Sequence, residues 1–342
     1  QGMKQSLSIT RRFLRSVNLV RDRQSDSGLA GYVITASVRQ ALARLGQGLS
    51  GSRNERAFTL TGPYGSGKSS FALFLFHLLR NQSGYAWDLL RKADPRLANE
   101  FHAVVWPKRF AEGYACLVAT AASRQSVPEL LADAVDSHSG KTPRSVIALS
   151  SQLRAARDAR DVLRLVEDIA KAFRKAGYAG VLFLVDEFGR VFENARLRPS
   201  ETDVSVVQDL AEAASRGGET GLALMGVLHQ GVGDYAASDP SLRREFSKIE
   251  GRFDPIGFAE TTASQIQLIA SAIHSRDSLP VDDGRILKNA VHIGVPRQVG
   301  LSDDEFVKYA RASYPLHPLA LAALPVLFRR LGQNERSVFS YL

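Results

Sequence analysis

Several residue types are scarce in these 342 residues. There is one cysteine, with two methionines and two tryptophans. Cys116 alone cannot form an intramolecular disulfide, and a zinc site built on several thiolates is excluded. The pattern fits a reducing compartment, so a cytoplasmic location is expected. Lysine is also rare: 10 of the 44 basic residues are Lys and 34 are Arg. Long apolar runs are missing. The longest, residues 71–79, is about half the ~18–20 residues that span a bilayer. No charged start followed by an apolar segment marks a secretion signal, and no membrane partner is expected. Gln1-Gly2 ahead of Met3 reads as a remnant of tag cleavage.

What remains is ordinary globular composition, 44% apolar and 23% charged. The length fits one large α/β domain with a smaller one appended. The net charge of +9 raises nucleic acid as a partner. An arginine-rich composition throughout the chain explains the same number. The one local cluster, Arg11, Arg12, Arg15, Arg21 and Arg23, reads either as a phosphate-contacting arm or as a solvated face.

Along the chain, a helix is expected from about residue 36 to 45, then a Gly/Ser-rich loop over 46–54. Continuous apolar strands are expected at 57–61, 103–106, 181–185 and 222–228, and another at 256–258. The stretch 113–176 reads as alternating helical patterns, the last ended by Gly177. Helices are expected at 71–79 and 204–214. After residue 258 the pattern is helical, at 265–274, 304–313 and 319–331. Buried strands separated by helices predict a parallel sheet covered on both faces. The expected division is an N-terminal segment over 3–56, an α/β core over 57–258 and a smaller helical lid over 259–342.

The strongest motif follows the first of these strands. Gly62-Pro63-Tyr64-Gly65-Ser66-Gly67-Lys68-Ser69 fits G-x-x-x-x-G-K-[ST] in full and runs on into a helix at Ser70. Glycines let the backbone curl until successive N–H groups face a phosphate, and the helix adds the positive end of its dipole. Lys68 would place its charge on the β- and γ-phosphates, and the Ser69 hydroxyl suits Mg²⁺. The run 181–185 ends in Asp186-Glu187. Asp186 would hold Mg²⁺ directly or through water, and Glu187 would orient or deprotonate the attacking water. A solvated strand end is the plainer reading of two adjacent acids, and the upstream loop argues against it. The guanine-reading pattern Asn-Lys-x-Asp is absent, which favours ATP.

These residues carry a resemblance. The segment Phe13-Leu14-Arg15-Ser16-Val17-Asn18, the phosphate loop, Asp186-Glu187-Phe188-Gly189, Leu228-His229-Gln230, Gly251-Arg252-Phe253-Asp254 and Gln333-Asn334-Glu335-Arg336-Ser337-Val338-Phe339 together resemble large bacterial AAA+/STAND-like ATPases. Those proteins sit in antiphage defence islands and are distantly similar to the large ATPase of BREX phage-exclusion systems. The resemblance spans nearly the whole chain, though only the loop and the acidic pair are specific.

It implies an additional-strand, AAA+-like P-loop fold in which strand 222–228 lies between the other two, with His229 or Gln230 as the sensor of the γ-phosphate. It implies an arginine finger reaching a neighbouring subunit. Arg252 is the candidate, Arg243 and Arg244 are alternatives, and a surface arginine in a turn is the plainer reading. It implies a second sensor in the lid: Arg336 is the candidate and Arg297 the runner-up, with a helix-capping or domain-packing arginine as the competing reading of Arg336. Tyr32, with Val33 and Ile34, would line an adenine pocket or belong to the core. The expected cofactors are ATP and Mg²⁺, and the expected partners are further copies of the chain and a defence effector protein. The apolar end, residues 338–342, suggests that further chain follows. A slow nucleotide-dependent signalling switch and a nucleic-acid translocase or loader remain as alternatives.

Overall fold

The computed structural model describes residues 7–9, 17–51, 55–199, 204–218, 220–275 and 283–331. Seven strands run through them: β1 (Leu7–Ile9), β2 (Ala57–Thr61), β3 (Glu112–Thr120), β4 (Tyr178–Asp186), β5 (Leu222–Leu228), β6 (Asp254–Gly257) and β7 (Ile273–Ser275). Five of them form one parallel sheet in the order β3-β4-β5-β2-β6, while β1 and β7 pair antiparallel on their own.

Strand alternation divides the core in two. Leu117 of β3, Phe183 of β4 and Leu224 of β5 face a layer containing the helices Val127–Asp136, Ala159–Lys175 and Ser205–Arg216. Val118, Leu184, Met225 and Leu60 face the opposite layer, built on Ala36–Leu49, Lys68–Arg80 and Pro95–Val105. A sheet covered on both faces has no solvated side, which is why its strands read as unbroken apolar runs. The helix Lys68–Arg80 is buried nearly all round, including Phe71, Phe74 and Leu78. Beyond β6, the helices Thr262–Ala272, Asp283–His292, Val295–Val299, Asp303–Ala312 and Pro318–Leu331 enclose a separate cluster around Ile266, Phe306 and Leu321. No helix among the described residues is long and apolar enough to cross a membrane.

The expected strands at 57–61 and 222–228 are met residue for residue. Five readings need correction. Residues 103–106 are no strand: Asp94 caps and Pro95 opens a helix that buries Leu97, Phe101 and Val105 at helical spacing, and the apolar pair Val104-Val105 is its last turn. The strand lies instead at Glu112–Thr120, inside the stretch read as helical. Its small residues hid it, and one has a packing reason: a Cβ on Gly113 would meet the Trp106 indole at 2.7 Å. The loop expected from Gly46 is the last turn of a helix that continues to Leu49. A side chain on Gly48 would collide with the Glu55 carbonyl at 2.3 Å and the Phe58 ring at 2.5 Å, so glycine there serves close approach, not flexibility. The helix expected to reach His274 stops at Ala272, and Ile273–Ser275 pairs with β1. The strand expected at 256–258 begins at Asp254, two residues earlier.

Candidate nucleotide-binding site

The loop Gly62–Lys68 leaves the end of β2 between its two neighbours. Gly62 donates its N–H to Leu228 O of β5 at 3.4 Å, and Phe258 donates to Thr61 O at 2.7 Å. A Cβ on Gly62 would lie 2.1 Å from Phe258 O, so only glycine lets the chain pass. Gly65 and Gly67 take φ of +72° and +90°, in the left-handed region that side chains disfavour. Gly67 is the N-cap of the helix and supplies no side-chain cap, which leaves first-turn N–H groups available to an anion.

Lys68 is 4% exposed, and its ammonium donates to Gly62 O at 2.6 Å and Pro63 O at 2.7 Å. Burial lowers its pKa to about 8, against the opposing pull of Asp186. The Ser69 hydroxyl lies beside Asp186, where it favours the ionised carboxylate. Asp186 ends β4, is 6% exposed, and accepts the Glu187 N–H at 2.9 Å. Burial raises its pKa, opposed by the Glu187 N–H and the nearby Ser69 hydroxyl. A buried cation, a hydroxyl and a buried carboxylate thus meet at the carboxyl edge of the sheet. That donor set suits a phosphate chain with a divalent ion. Lys68 and the loop N–H groups fit the phosphates, and Ser69 and Asp186 fit Mg²⁺.

Glu187 is the strained member. Its φ is +51°, uncommon for a residue with a side chain. The flanking contacts over-determine it: Phe188 donates its N–H to Val227 O at 2.9 Å, and Arg190 donates its own to Glu187 O at 2.9 Å. The glycines of this region make room for the same turn. A Cβ on Gly226 would come within 2.2 Å of the Phe188 ring, and one on Gly189 within 2.1 Å of Tyr235 Oη. The half-exposed Glu187 carboxylate pairs with Arg190 at 3.3 Å.

At the end of β5, the His229 ring stacks on Tyr64 of the loop with centroids 3.6 Å apart and planes at 19°. Its backbone N–H donates to Tyr235 Oη at 3.3 Å. Burial first, then the Lys68 charge, lowers the imidazole pKa to about 4, so the ring is neutral at pH 7. The phosphate loop strand is flanked by β5 and β6, and the acidic strand lies one position beyond β5. The fold is that of an additional-strand P-loop NTPase. It is AAA+-like, with a helical C-terminal region.

No protein-family model matches the chain, and no curated protein matches it. Among solved structures it is similar to the Aeropyrum pernix ORC2 protein, determined in ADPNP–ADP complexes. Identity is 13% and the TM-score 0.42, over 98% of this chain and 71% of that one. That likeness is loose, and the site is defined by strand order and side-chain geometry.

The other expected residues fall as follows. The structure brings together Gly62, Gly65, Ser66, Gly67, Lys68, Ser69, Asp186, Glu187 and His229. Pro63 is exposed, and its own carbonyl accepts from Lys68, while Ser70 follows in the first helical turn. Gln230 is exposed one residue past the His229–Tyr64 stack. The Tyr32 ring lies against Phe74 of the loop helix, centroids 4.8 Å apart, and Ile34 is buried. Arg252 is elsewhere. It precedes β6, whose Asp254 pairs with Phe58 at the start of β2, so it lies about six residues, or ~20 Å, from the loop of its own chain. There it pairs with Glu212 at 3.1 Å. The acid of the same segment, Asp254, is buried and holds Arg44 through two hydrogen bonds. Arg336 lies outside the described residues, while Arg297 is exposed in the helix Val295–Val299. Sequence reasoning missed Arg190 and Tyr235. Arg190 had a signal, its i+3 spacing from Glu187. Tyr235 had none, because Gly189 and the His229 backbone identify it only in three dimensions.

Proposed function

We propose that the chain is the ATP-binding and ATP-hydrolysing module of an oligomeric AAA+/STAND-like ATPase. One observation carries the reading: buried Lys68 sits over the phosphate loop while Ser69 reaches Asp186 across β5. Bound Mg²⁺ would supply charge neutralisation between the phosphates, held by Ser69 and Asp186. Lys68 exchanges two loop carbonyls for phosphate oxygens. Glu187 accepts a proton from, or orients, the attacking water once it leaves Arg190. Neutral His229 offers a ring nitrogen to that water or to the γ-phosphate, with Tyr64 fixing its plane. Tyr32 lies on the loop helix where a base would approach.

Arg252 cannot serve its own site, so its role as a finger requires a second copy. A place in antiphage defence, with an effector protein as partner, rests on motif resemblance, and nucleic acid binding on the net charge of +9 and the cluster Arg11, Arg12, Arg15, Arg21 and Arg23. The division at residues 56 and 258 follows the strand pattern that begins at residue 57 and the mostly helical pattern after residue 258.

The test is ATP binding and turnover by the wild type, Lys68→Ala and Glu187→Gln across a range of protein concentrations. Wild-type turnover no faster than Lys68→Ala at every concentration would sink the enzyme reading. One observation favours a slower switch: the Glu187–Arg190 pair withholds the base. Stoichiometric ADP retained through purification, with turnover below one per minute, supports that second reading.

A further inference from the structure

A cavity of ≈ 180 Å³ opens at the edge of the sheet opposite the nucleotide site, where β2, β3 and β4 begin. Arg56, Arg109 and Arg174 line it, with Leu49, Phe110 and Tyr114 among its walls. Three separate elements deliver the arginines. Arg56 immediately precedes β2, Arg109 lies in the turn leading into β3, and Arg174 is in the last turn of the helix Ala159–Lys175.

Their partners are all neutral. Arg56 is 8% exposed and donates to Tyr114 Oη at 3.1 Å and Leu49 O at 3.2 Å. Arg174 donates to Ala179 O, and its guanidinium carbon lies 4.3 Å from the Phe110 ring centroid. The Arg109 guanidinium carbon lies 5.1 Å from the same centroid. Elsewhere the chain matches such groups with acids, as in Arg44–Asp254, Arg154–Asp133 and Arg252–Glu212. Among the described residues no carboxylate lines this cavity. Burial lowers the Arg174 pKa, opposed by Tyr114, and the charges of Arg109 and Arg56 lower it further. Like charges gathered in a half-enclosed space, over an aromatic floor, form a site that lacks its counter-charge.

We propose that this cavity binds a small organic oxyanion, a phosphate monoester or a carboxylate, with its charged head between Arg109 and Arg174 and its apolar body against Phe110 and Tyr114. The size favours a compact ligand, since pockets for drug-sized molecules run from about 300 Å³ upward. Arginine suits the task because its planar fork grips two oxygens at once while its face stacks on a ring. The inference is independent of the nucleotide reading, because the two sites lie at opposite ends of the strands.

The test uses Lys68→Ala protein, so that the phosphate loop does not contribute. Phenyl phosphate and benzoate are titrated by calorimetry at fixed ionic strength, and the stronger of the two names the head group. The expected result is one saturable site, weakened at least tenfold by both Arg109→Leu and Arg109→Gln, each with an unchanged circular dichroism spectrum. Absence of saturable binding by either anion, or binding indifferent to both Arg109 variants, overturns the proposal.

Discussion

Lys68 makes nucleotide binding a proton-linked event. Its pKa is held near 8 by burial, whereas a phosphate chain beside it would restore the ordinary lysine range. At pH 8.5 the free site is therefore only about one-quarter protonated, and the bound site almost fully so, giving uptake of about 0.7 proton per nucleotide. The γ-phosphate itself is ionised by then, because phosphate groups lose their second proton near pH 6. The same linkage weakens apparent affinity about tenfold between pH 7 and pH 9, since only the protonated fraction is competent to bind. Calorimetry at pH 8.5 in two buffers of different ionisation enthalpy measures the uptake directly. A heat independent of buffer, together with an affinity flat from pH 7 to 9, refutes the claim that burial has loosened this proton. Near pH 6.5 the lysine's share of the uptake should vanish.

Further outcomes follow from the same geometry. Glu187→Gln should keep ATP affinity within a few-fold and lose hydrolysis by about 10²-fold or more in steady-state turnover. Lys68→Met should remove a buried charge whose cost is largest at neutral pH. The folded pKa lies below the unfolded one, so the cost fades as pH rises from about 8 to 10.5, and the stability difference from wild type should change by about 3 kcal/mol across that window in urea unfolding. Gly226→Ala should drive a methyl group into the Phe188 ring and cost about 1–3 kcal/mol, with part recovered by adding Phe188→Leu. Arg44→Ala should strand the buried Asp254 carboxylate at a cost of about 3 kcal/mol, while Asp254→Asn costs less because no charge is left behind.

The strands β2, β4 and β5, whose carboxyl ends carry the candidate site, were legible in the sequence because burial on both faces writes itself as a continuous apolar run. The loop was legible because its glycines answer to backbone geometry that no other residue meets. The strand β3 was illegible for the opposite reason: Gly113, Ala115, Cys116 and Ala119 are small residues chosen by their neighbours, not by strand propensity. Val104-Val105 misled because two β-branched residues in a final helical turn look like a strand edge. Gly46 and Gly48 misled because close helix–strand packing and a flexible loop call for the same residue. At the site, Lys68, Ser69, Asp186 and Glu187 could be read from spacing. The Tyr64–His229 stack, the Glu187–Arg190 pair and the Tyr235 support could not, since each joins residues through side-chain geometry that no motif encodes. The Gly-Arg-Phe-Asp segment was half legible: its Asp254 proves to be a structural anchor for Arg44, and its Arg252 points away from its own chain's loop.

The tight passage at Gly62 also makes the chain a mechanical linkage. Phe258 O lies so close to Gly62 that a methyl group does not fit between them, and two residues later Glu260 accepts the Thr35 hydroxyl at 2.8 Å, while Ser37 donates to Ala259 O at 3.1 Å. Three consecutive residues therefore run from the phosphate loop to the start of the Ala36–Leu49 helix, immediately before the chain enters its helical C-terminal region. A linkage this short has no slack. Any ligand that shifts the loop at Gly62 would either move the anchor at Thr35 and Ser37 or swing the helices that follow, because residues 258–260 touch both the loop and that anchor.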